Sequence, residues 1–214
     1  MISLPIILAV AALCLAAGFL VGRQLGFRKN WGEALVAETI GQEFRRPHVL
    51  INNVTLEVEG GTTQIDHLVV ADTGIFVIET KHYSGWIFGN PSDRQWTQVI
   101  YRHKTRFQNP VWQNHGHLRA VQSLFNLPRE AFFGVLVFTG DAEFKTYCGP
   151  AVLKLRNLTD YLSVERPVLF DERKLAYIVG RIEMKRRERS RETDEYHLNA
   201  LRRRLRKQMR GAAN

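Results

Sequence analysis

Two neighbouring apolar segments, joined by a short turn, constrain the fold of this 214-residue chain more than any other feature. Residues 63–71 and 75–81 have the apolar and β-branched composition of strands in a sheet. A charged residue interrupts the first segment and two interrupt the second. They are Asp66, Glu79 and Lys81. Because an unpaired charge inside such a strand is costly, these three are expected to be paired or to bind a ligand.

The Asp72-Thr73 turn between the two strands leaves two registers open. A turn of two residues sets Asp66 directly opposite Glu79, whereas a three-residue turn with a left-handed Gly74 shifts the pairing. Lys81 is two residues after Glu79 and therefore shares its strand face. In the first register, two carboxylates and one ammonium group converge on one spot.

Such a cluster suits phosphoryl chemistry. Two carboxylates with open positions favour a hard cation, Mg²⁺ or Mn²⁺, which would polarise a phosphoryl oxygen and lower the pKa of a bound water. Lys81 would orient that water or stabilise the charge that develops on the phosphate. The alternative is a structural ion pair in a half-buried sheet.

The coarse order of elements predicts an α/β fold. The predicted helices cover residues 31–44 and 111–125, and the predicted strands cover 49–58, 63–71, 75–81 and 133–138, with a small hairpin from 86–88 and 96–101. This order favours a mixed sheet with helices packed on it. No glycine-rich nucleotide-binding spacing is present, so dinucleotide and ATP binding lose their usual support.

The first part of the chain predicts a membrane anchor. Residues 2–22 are almost wholly apolar, and no charge precedes Arg23. This segment is long enough to cross a bilayer as a helix. A cleaved signal peptide would need a basic start, and a lipoprotein signal would need a small residue before Cys14. The basic residues that follow the span, Arg28 and Lys29 among them, place the rest of the chain on the cytoplasmic side.

Several segments together resemble the nuclease-related domain (NERD) family, which belongs to the PD-(D/E)xK nuclease superfamily. They are Trp31-Gly32-Glu33, residues 64–70, residues 74–81, residues 83–87 and Trp96, within a matching region of about residues 30–125. The resemblance implies a restriction-endonuclease-like core of helix, three-strand meander, helix and strand. That order is similar to the one that periodicity predicts.

The resemblance also implies roles for individual residues. Asp66 and Glu79 would be metal ligands, Glu33 an additional carboxylate of the metal site, and Lys81 the catalytic lysine. Superfamily nucleases often carry a glutamine on the helix after this strand, near the scissile phosphate, and Gln113 fits that role. Otherwise Gln113 is a surface residue of its helix.

Basic residues predict anionic partners. Lys and Arg residues outnumber Asp and Glu residues, and the formal net charge is +9. The stretch that contains Arg102, Lys104 and Arg106 has no acidic residue and could follow a DNA or RNA backbone, or it could be an exposed run of charge. Aromatic residues near it could stack on bases or belong to the core. They are Trp86, Trp96, Phe107 and Trp112.

From residue 171 onward the chain contains 14 basic and 7 acidic residues. Residues at helical spacing form one apolar stripe, Leu198, Leu201, Leu205 and Met209, and Arg202, Arg203 and Arg204 lie on other faces. Such a tail could bind nucleic acid or an anionic lipid leaflet, or could be a solvated helix packed through its stripe.

The predicted organisation is therefore a transmembrane anchor (1–22), a nuclease-like domain (23–170) and a basic helical tail (171–214). The predicted function is metal-dependent hydrolysis of nucleic-acid phosphodiester bonds at the cytoplasmic face of a membrane. The competing hypotheses are a module that tethers nucleic acid without cutting it, and a membrane-surface scaffold that binds lipid or a partner.

Overall fold

The computed structural model describes residues 31–188. Residues 31–43 form helix α1. The strands are β1 (His48–Val58), β2 (Gly61–Ala71), β3 (Gly74–Lys81), β4 (Trp86–Phe88), β5 (Gln95–Ile100), β6 (His103–Gln108), β7 (Phe132–Phe138), β8 (Glu143–Phe144) and β9 (Val152–Lys154). The other helices are α2 (Pro110–Gln122), α3 (Leu158–Ser163) and α4 (Glu172–Lys185).

The strands form two sheets. The larger sheet has the order β1-β2-β3-β7-β9, in which β1, β2 and β3 are an antiparallel meander and β7 and β9 pair in parallel. The smaller sheet has the order β6-β5-β4-β8, and its β8 pairs in parallel with β4. The predicted α/β class with a mixed sheet is confirmed.

Helices cover both faces of the larger sheet. On one face, Val77 of β3 shares a buried cluster with Val121 of α2 and Ile182 of α4. On the other face, Phe76 packs with Ile40 of α1 and with residues of α3. Successive side chains of β3 therefore belong to the two cores in turn. Because both faces of the strand are buried, it lacks the half-polar pattern of a surface strand.

The turn between β2 and β3 has two residues, because Ala71 pairs with Gly74. This is the register that sets Asp66 opposite Glu79. Gly74 has a φ of 148°, and an added Cβ would contact the ring of Phe133, so glycine is required at this close approach.

Other boundaries differ from the sequence-based expectations. Helix α2 ends at Gln122, three residues earlier than expected, and the N–H groups of Leu124 and Phe125 donate three residues back, to Val121 and Gln122. The basic stretch at residues 102–106 is exposed, and most of it forms strand β6, which pairs with β5 along its whole length. Its charges project from a paired strand, so they do not prevent the backbone from completing the sheet.

The predicted membrane segment and most of the tail lie outside the described residues. Within residues 31–188, no helix has the length and apolar composition that crossing a bilayer requires. The division of the chain at residue 171 stays a prediction. Helix α4, which follows that point, buries Ile178 and Ile182 against the larger sheet.

Candidate active site

Asp66 lies where the backbone ladder between β2 and β3 ends. The last backbone pair before it joins His67 to Ile78, and continuing this register by one residue would set Asp66 opposite Glu79. Its Oδ2 atom accepts a hydrogen bond from the backbone N–H of Thr80 at 2.8 Å, and the residue is 2% exposed. The carboxylate therefore substitutes for the next backbone acceptor and is fixed beside β3.

A bend shared by β1 and β2 accompanies this position. Ile65 and Leu68 pack in the same cluster although three residues separate them, so the alternation of strand faces is broken between them. At the same level on β1, Asn53 has a φ of 54°, a left-handed conformation that is uncommon outside glycine. The distortion brings Asp66 close enough for its charge to act on Lys81.

Glu79, Lys81 and Gln113 form a closed set of hydrogen bonds. Lys81 Nζ donates to Glu79 Oε1 at 2.5 Å. Gln113 Nε2 donates to the same oxygen at 2.8 Å, and Gln113 Oε1 accepts from Lys81 Nζ at 3.1 Å. Each end of the amide thus has a charged partner. The glutamine expected on α2 lies at the ion pair, while its catalytic role stays a prediction.

His117 engages the other oxygen of Glu79. Its Nε2 atom lies 3.1 Å from Glu79 Oε2, and its Nδ1 atom lies 2.7 Å from Thr63 Oγ1. A proton on Nε2 would suit the acceptor-only carboxylate, and in that tautomer Nδ1 accepts from the Thr63 hydroxyl. Gln113 Nε2 also lies 3.4 Å from His117 Nε2, and a hydrogen bond between them requires the other tautomer, with an unprotonated Nε2.

Burial and charge act in opposite directions on the pKa values of the ion pair. Burial alone would raise the pKa of Glu79, but the charge of Lys81 and the hydrogen bond from His117 outweigh it and lower the pKa to about 2. Burial alone would lower the pKa of Lys81, but Glu79 and then Asp66 hold it above its usual value. At neutral pH the site therefore contains a carboxylate and an ammonium group, and Lys81 is not a free base.

Two buried asparagines hold α2 in place beside the site. Asn109 caps the helix by accepting from the N–H of Val111 at 2.9 Å, and its amide donates to the Asp93 carbonyl at 2.6 Å. Asn114 Nδ2 donates to the carbonyls of Val77 and Val135 at 3.1 and 2.9 Å. The second asparagine binds α2 to both β3 and β7, which fixes the height of Gln113 above the ion pair.

Sequence reasoning gave no site role to His117, Thr63 or the two anchoring asparagines. His117 follows Gln113 by four residues and therefore shares its helix face, which was the one available indication. Thr63 is 54 residues from His117, and no local pattern predicts their contact.

The donor set fits a hard divalent cation in its chemistry. Asp66 and Glu79 offer carboxylate oxygens that are almost fully buried, and with a neutral His117 the two carboxylates and Lys81 sum to one negative charge. In the part of the chain that the structure describes, however, no three His, Cys, Asp or Glu side chains gather as a metal-binding group. The Mg²⁺ or Mn²⁺ site therefore stays a prediction.

Glu33 lies on α1 and is 8% exposed. Its neighbour Gly32 packs closely against Thr139 and His82, beside the carboxyl end of β3. Helix α1 covers the face of the sheet opposite to α2. The participation of Glu33 in a metal site with Asp66 stays a prediction.

The predicted nucleic-acid contacts fall in two regions. Arg102 lies in the turn before β6, and Lys104 and Arg106 are exposed on that strand. The tail residues Arg202, Arg203 and Arg204 lie outside the described residues. The aromatic side chains divide, because Trp96 is fully buried in the second sheet's core whereas Trp86 is 49% exposed.

A mixed sheet flanked by helices, with an aspartate opposite a Glu-x-Lys strand, defines a nuclease-like α/β protein. The chain belongs to the nuclease-related domain family, whose sequence profile matches residues 28–139. The matched region includes α1, the meander, the β4–β6 strands, α2 and β7.

An uncharacterized protein of Bacillus anthracis is 47% identical to the chain over 94 residues. The alignment covers 44% of this chain and 44% of that protein, so the chain spans less than half of its relative's length. No solved structure gives a significant match to the chain.

Proposed function

We propose that the chain is a metal-dependent nuclease that hydrolyses phosphodiester bonds of DNA or RNA. The observation that carries the proposal is the cluster in which Gln113 bridges the buried ion pair of Glu79 and Lys81, with Asp66 in the matching register. Family membership supports an interaction with nucleic acid in general.

Asp66 and Glu79 would hold Mg²⁺ or Mn²⁺, with Glu33 as a further carboxylate. When bound, the cation polarises a phosphoryl oxygen and lowers the pKa of a coordinated water.

The chain's own residues prepare the site for a polyanion. Lys81 is held in its protonated form and places a positive charge where negative charge develops on the phosphate. Gln113 fixes the Lys81 ammonium in position through its Oε1 atom. His117 fixes the orientation of the Glu79 carboxylate from the opposite side. These fixed partners reduce the reorganisation that the site needs when the substrate arrives.

A second function is favoured by one specific observation. Oε1 of Glu79 already has two side-chain partners, Lys81 and Gln113, and His117 Nε2 lies 3.1 Å from Oε2. A carboxylate held this closely by side chains of its own protein suits a structural role. The second candidate is therefore a non-catalytic module that binds nucleic acid.

The proposal includes attachment to a membrane with the nuclease-like domain on the cytoplasmic side. Its support is the apolar composition of residues 2–22 and the basic residues that follow them. The test is alkaline carbonate extraction of membranes from expressing cells. The full chain should stay in the membrane pellet, and a chain lacking residues 2–22 should not. Release of the full chain by carbonate would overturn this part of the proposal.

Cleavage is tested on the full chain purified in detergent, with plasmid, linear duplex and single-stranded substrates in Mg²⁺, Mn²⁺ or EDTA. Lys81→Ala and Asp66→Asn are compared with wild type, and loss of metal-dependent cleavage of about 100-fold or more is expected in both.

Helix α4 offers a matched control, because Glu183-Met184-Lys185 has the same Glu-x-Lys spacing on an exposed surface. Glu183→Gln and Lys185→Ala should cleave like wild type. Equal cleavage by wild type and the two site variants would refute the proposed site. Absence of cleavage by wild type, with salt-sensitive binding retained, would favour the non-catalytic module.

A further inference from the structure

The smaller sheet carries aromatic side chains on its outer face. In β4, Ile87 is fully buried, whereas Trp86 and Phe88 on either side of it are 49% and 37% exposed. The inner face already has a complete core, in which Ile87 packs with Trp96 and Phe107. The two exposed rings are therefore not an unfinished part of this core, and their exposure needs another explanation.

The strand register aligns these rings with basic residues. Trp86 pairs with Val99, and Val99 pairs with Lys104. One position along, Phe88 pairs with Thr97, and Thr97 pairs with Arg106. Directly paired residues of antiparallel strands share a face, so each row runs from an aromatic ring on β4 to a cation on β6. Two strand spacings separate ring and charge, about 10 Å.

We propose that this outer face is a binding platform for single-stranded nucleic acid. The platform consists of Trp86, Phe88, Lys104 and Arg106. Bases of the strand stack on the two rings, and its phosphates lie along the two cations. Trp86 and Phe88 are two residues apart on one strand, about 7 Å, which accommodates neighbouring bases of an extended strand. The inference rests on the proposed function in that it takes nucleic acid as the ligand.

Base stacking selects single strands over duplexes. The faces of bases inside a duplex are covered by their neighbours, so rings on a flat sheet cannot reach them, whereas an unpaired strand offers every base. The platform is also close to the candidate active site. Trp86 follows Lys81 by five residues, which span at most about 18 Å, so a strand on the platform is within reach of the ion pair.

Lys145 covers the ring of Trp86 in the absence of a ligand. Its Nζ atom lies 4.8 Å from the ring centroid and 2.6 Å from Glu143 Oε2. Both side chains are substantially exposed, so water screens this contact and a stacked base can displace it. Lys145 is paired with Glu143, so this contact adds no net positive charge to the binding face.

The β5–β6 hairpin carries a further exposed ring at its tip. Tyr101 is 95% exposed and has a φ of 53°, at a two-residue turn where glycine is usually needed. Such backbone strain is more frequent at functional positions than elsewhere.

The test measures binding of a fluorescently labelled 15-nucleotide thymidine strand to the full chain by anisotropy. EDTA is present, so neither metal nor cleavage is involved. Trp86→Ala and Phe88→Ala are each expected to weaken binding about tenfold, and Trp86→Phe should restore most of the affinity. Lys104→Ala with Arg106→Ala should make the slope of log K against log salt shallower by about 1.4. A duplex of the same length should bind more weakly than the single strand.

Matched controls come from α4, where Lys174 Nζ lies 5.4 Å from the ring of Tyr177. Tyr177→Ala, and Arg173→Ala with Lys174→Ala, should bind the strand like wild type. Equal losses in the controls, or tighter binding of duplex, would overturn the proposal. A changed oligomeric state of Trp86→Ala with unchanged affinity would instead indicate contact with a second copy.

The two proposals fail separately. Lys81→Ala should bind the strand normally in EDTA while losing cleavage. Normal cleavage by Trp86→Ala with unchanged strand affinity would refute the platform and leave the nuclease intact. Because the substituted rings are exposed, thermal unfolding should show wild-type stability and exclude misfolding as the cause.

Discussion

Gln113 on α2 donates a hydrogen bond to Glu79 on β3 across 34 positions of sequence, with Nε2 and Oε1 2.8 Å apart. The same amide accepts from Lys81, so its orientation is fixed by the charges on either side. The hydrogen bonds of Gln113 therefore depend on how α2 packs on the sheet.

Replacement of Gln113 should affect both stability and cleavage. Gln113→Ala removes two hydrogen bonds to charged groups, so we expect the free energy of unfolding to fall by about 2 kcal/mol. Cleavage should fall roughly 10- to 100-fold because the Lys81 ammonium loses a fixed partner. Chemical denaturation and initial cleavage rates measure the two effects. Gln122→Ala, at the end of the same helix, is the control, and equal losses there would contradict the assignment.

The low pKa of Glu79 predicts how stability depends on pH. Its pKa is about 2 in the folded chain against 4.5 for an ordinary glutamate. Above about pH 4.5 the carboxylate is ionised in both states, and its contribution is fully present. Between pH 4.5 and 2 the unfolded chain binds a proton that the folded chain does not, so about 3 kcal/mol of stability is lost.

The measurement is the free energy of unfolding at several pH values. Glu79→Gln lacks the titrating group, so its stability should fall less steeply between pH 4.5 and 2 than that of wild type. Glu183→Gln should keep the wild-type slope. Parallel curves for wild type and Glu79→Gln would show that Glu79 is not held in its ionised form.

The hydrogen bond between Thr63 and His117 predicts a particular tautomer. Nitrogen-15 NMR should find the proton of a neutral His117 ring on Nε2, next to Glu79. Thr63→Val removes the hydroxyl that Nδ1 accepts from, and stability should fall by about 1 kcal/mol. Thr105→Val on the exposed β6 strand should leave the tautomer and the stability unchanged. A proton on Nδ1 in the wild-type ring would contradict the proposed hydrogen-bond directions.

Two glycines should respond oppositely to substitution by alanine. A Cβ at Gly140 would overlap the backbone carbonyl of Tyr83, so Gly140→Ala should cost about 3 kcal/mol of stability. A Cβ at Gly180, inside α4, would meet nothing within 4 Å, so Gly180→Ala should stabilise the chain by about 0.5–1 kcal/mol. Thermal unfolding separates the two. A neutral Gly140→Ala would mean that the backbone there moves freely.

The sequence predicted those parts of the fold that local chemistry determines. The apolar runs on both sides of the Asp72-Thr73 turn predicted β2 and β3. Of the two registers that the sequence left open, the structure has the one with a two-residue turn. The sequence did not predict β6 as a strand, because only Phe107 among its residues contributes to the core and its other residues are exposed. Its position is determined by pairing with β5, which composition does not reveal.

The candidate site divides in the same way. Asp66, Glu79 and Lys81 were visible as charges inside apolar strands. The contact of His117 with Thr63 depends on how α2 crosses the sheet. Asn109 and Asn114 hold α2 there through carbonyls distant in sequence, and no local pattern predicts those partners. Long-range geometry of this kind cannot be inferred from spacing along one chain.

Both sheets are completed by residues that follow the family match. The profile match stops at residue 139, yet β8 covers the open edge of β4, and β9 covers the open edge of β7. A chain that stopped at residue 139 would expose two rows of unpaired backbone groups next to apolar surface. Such edges recruit strands from other molecules, so this shortened chain should aggregate when expressed. The smallest soluble unit of this protein therefore extends beyond its family signature.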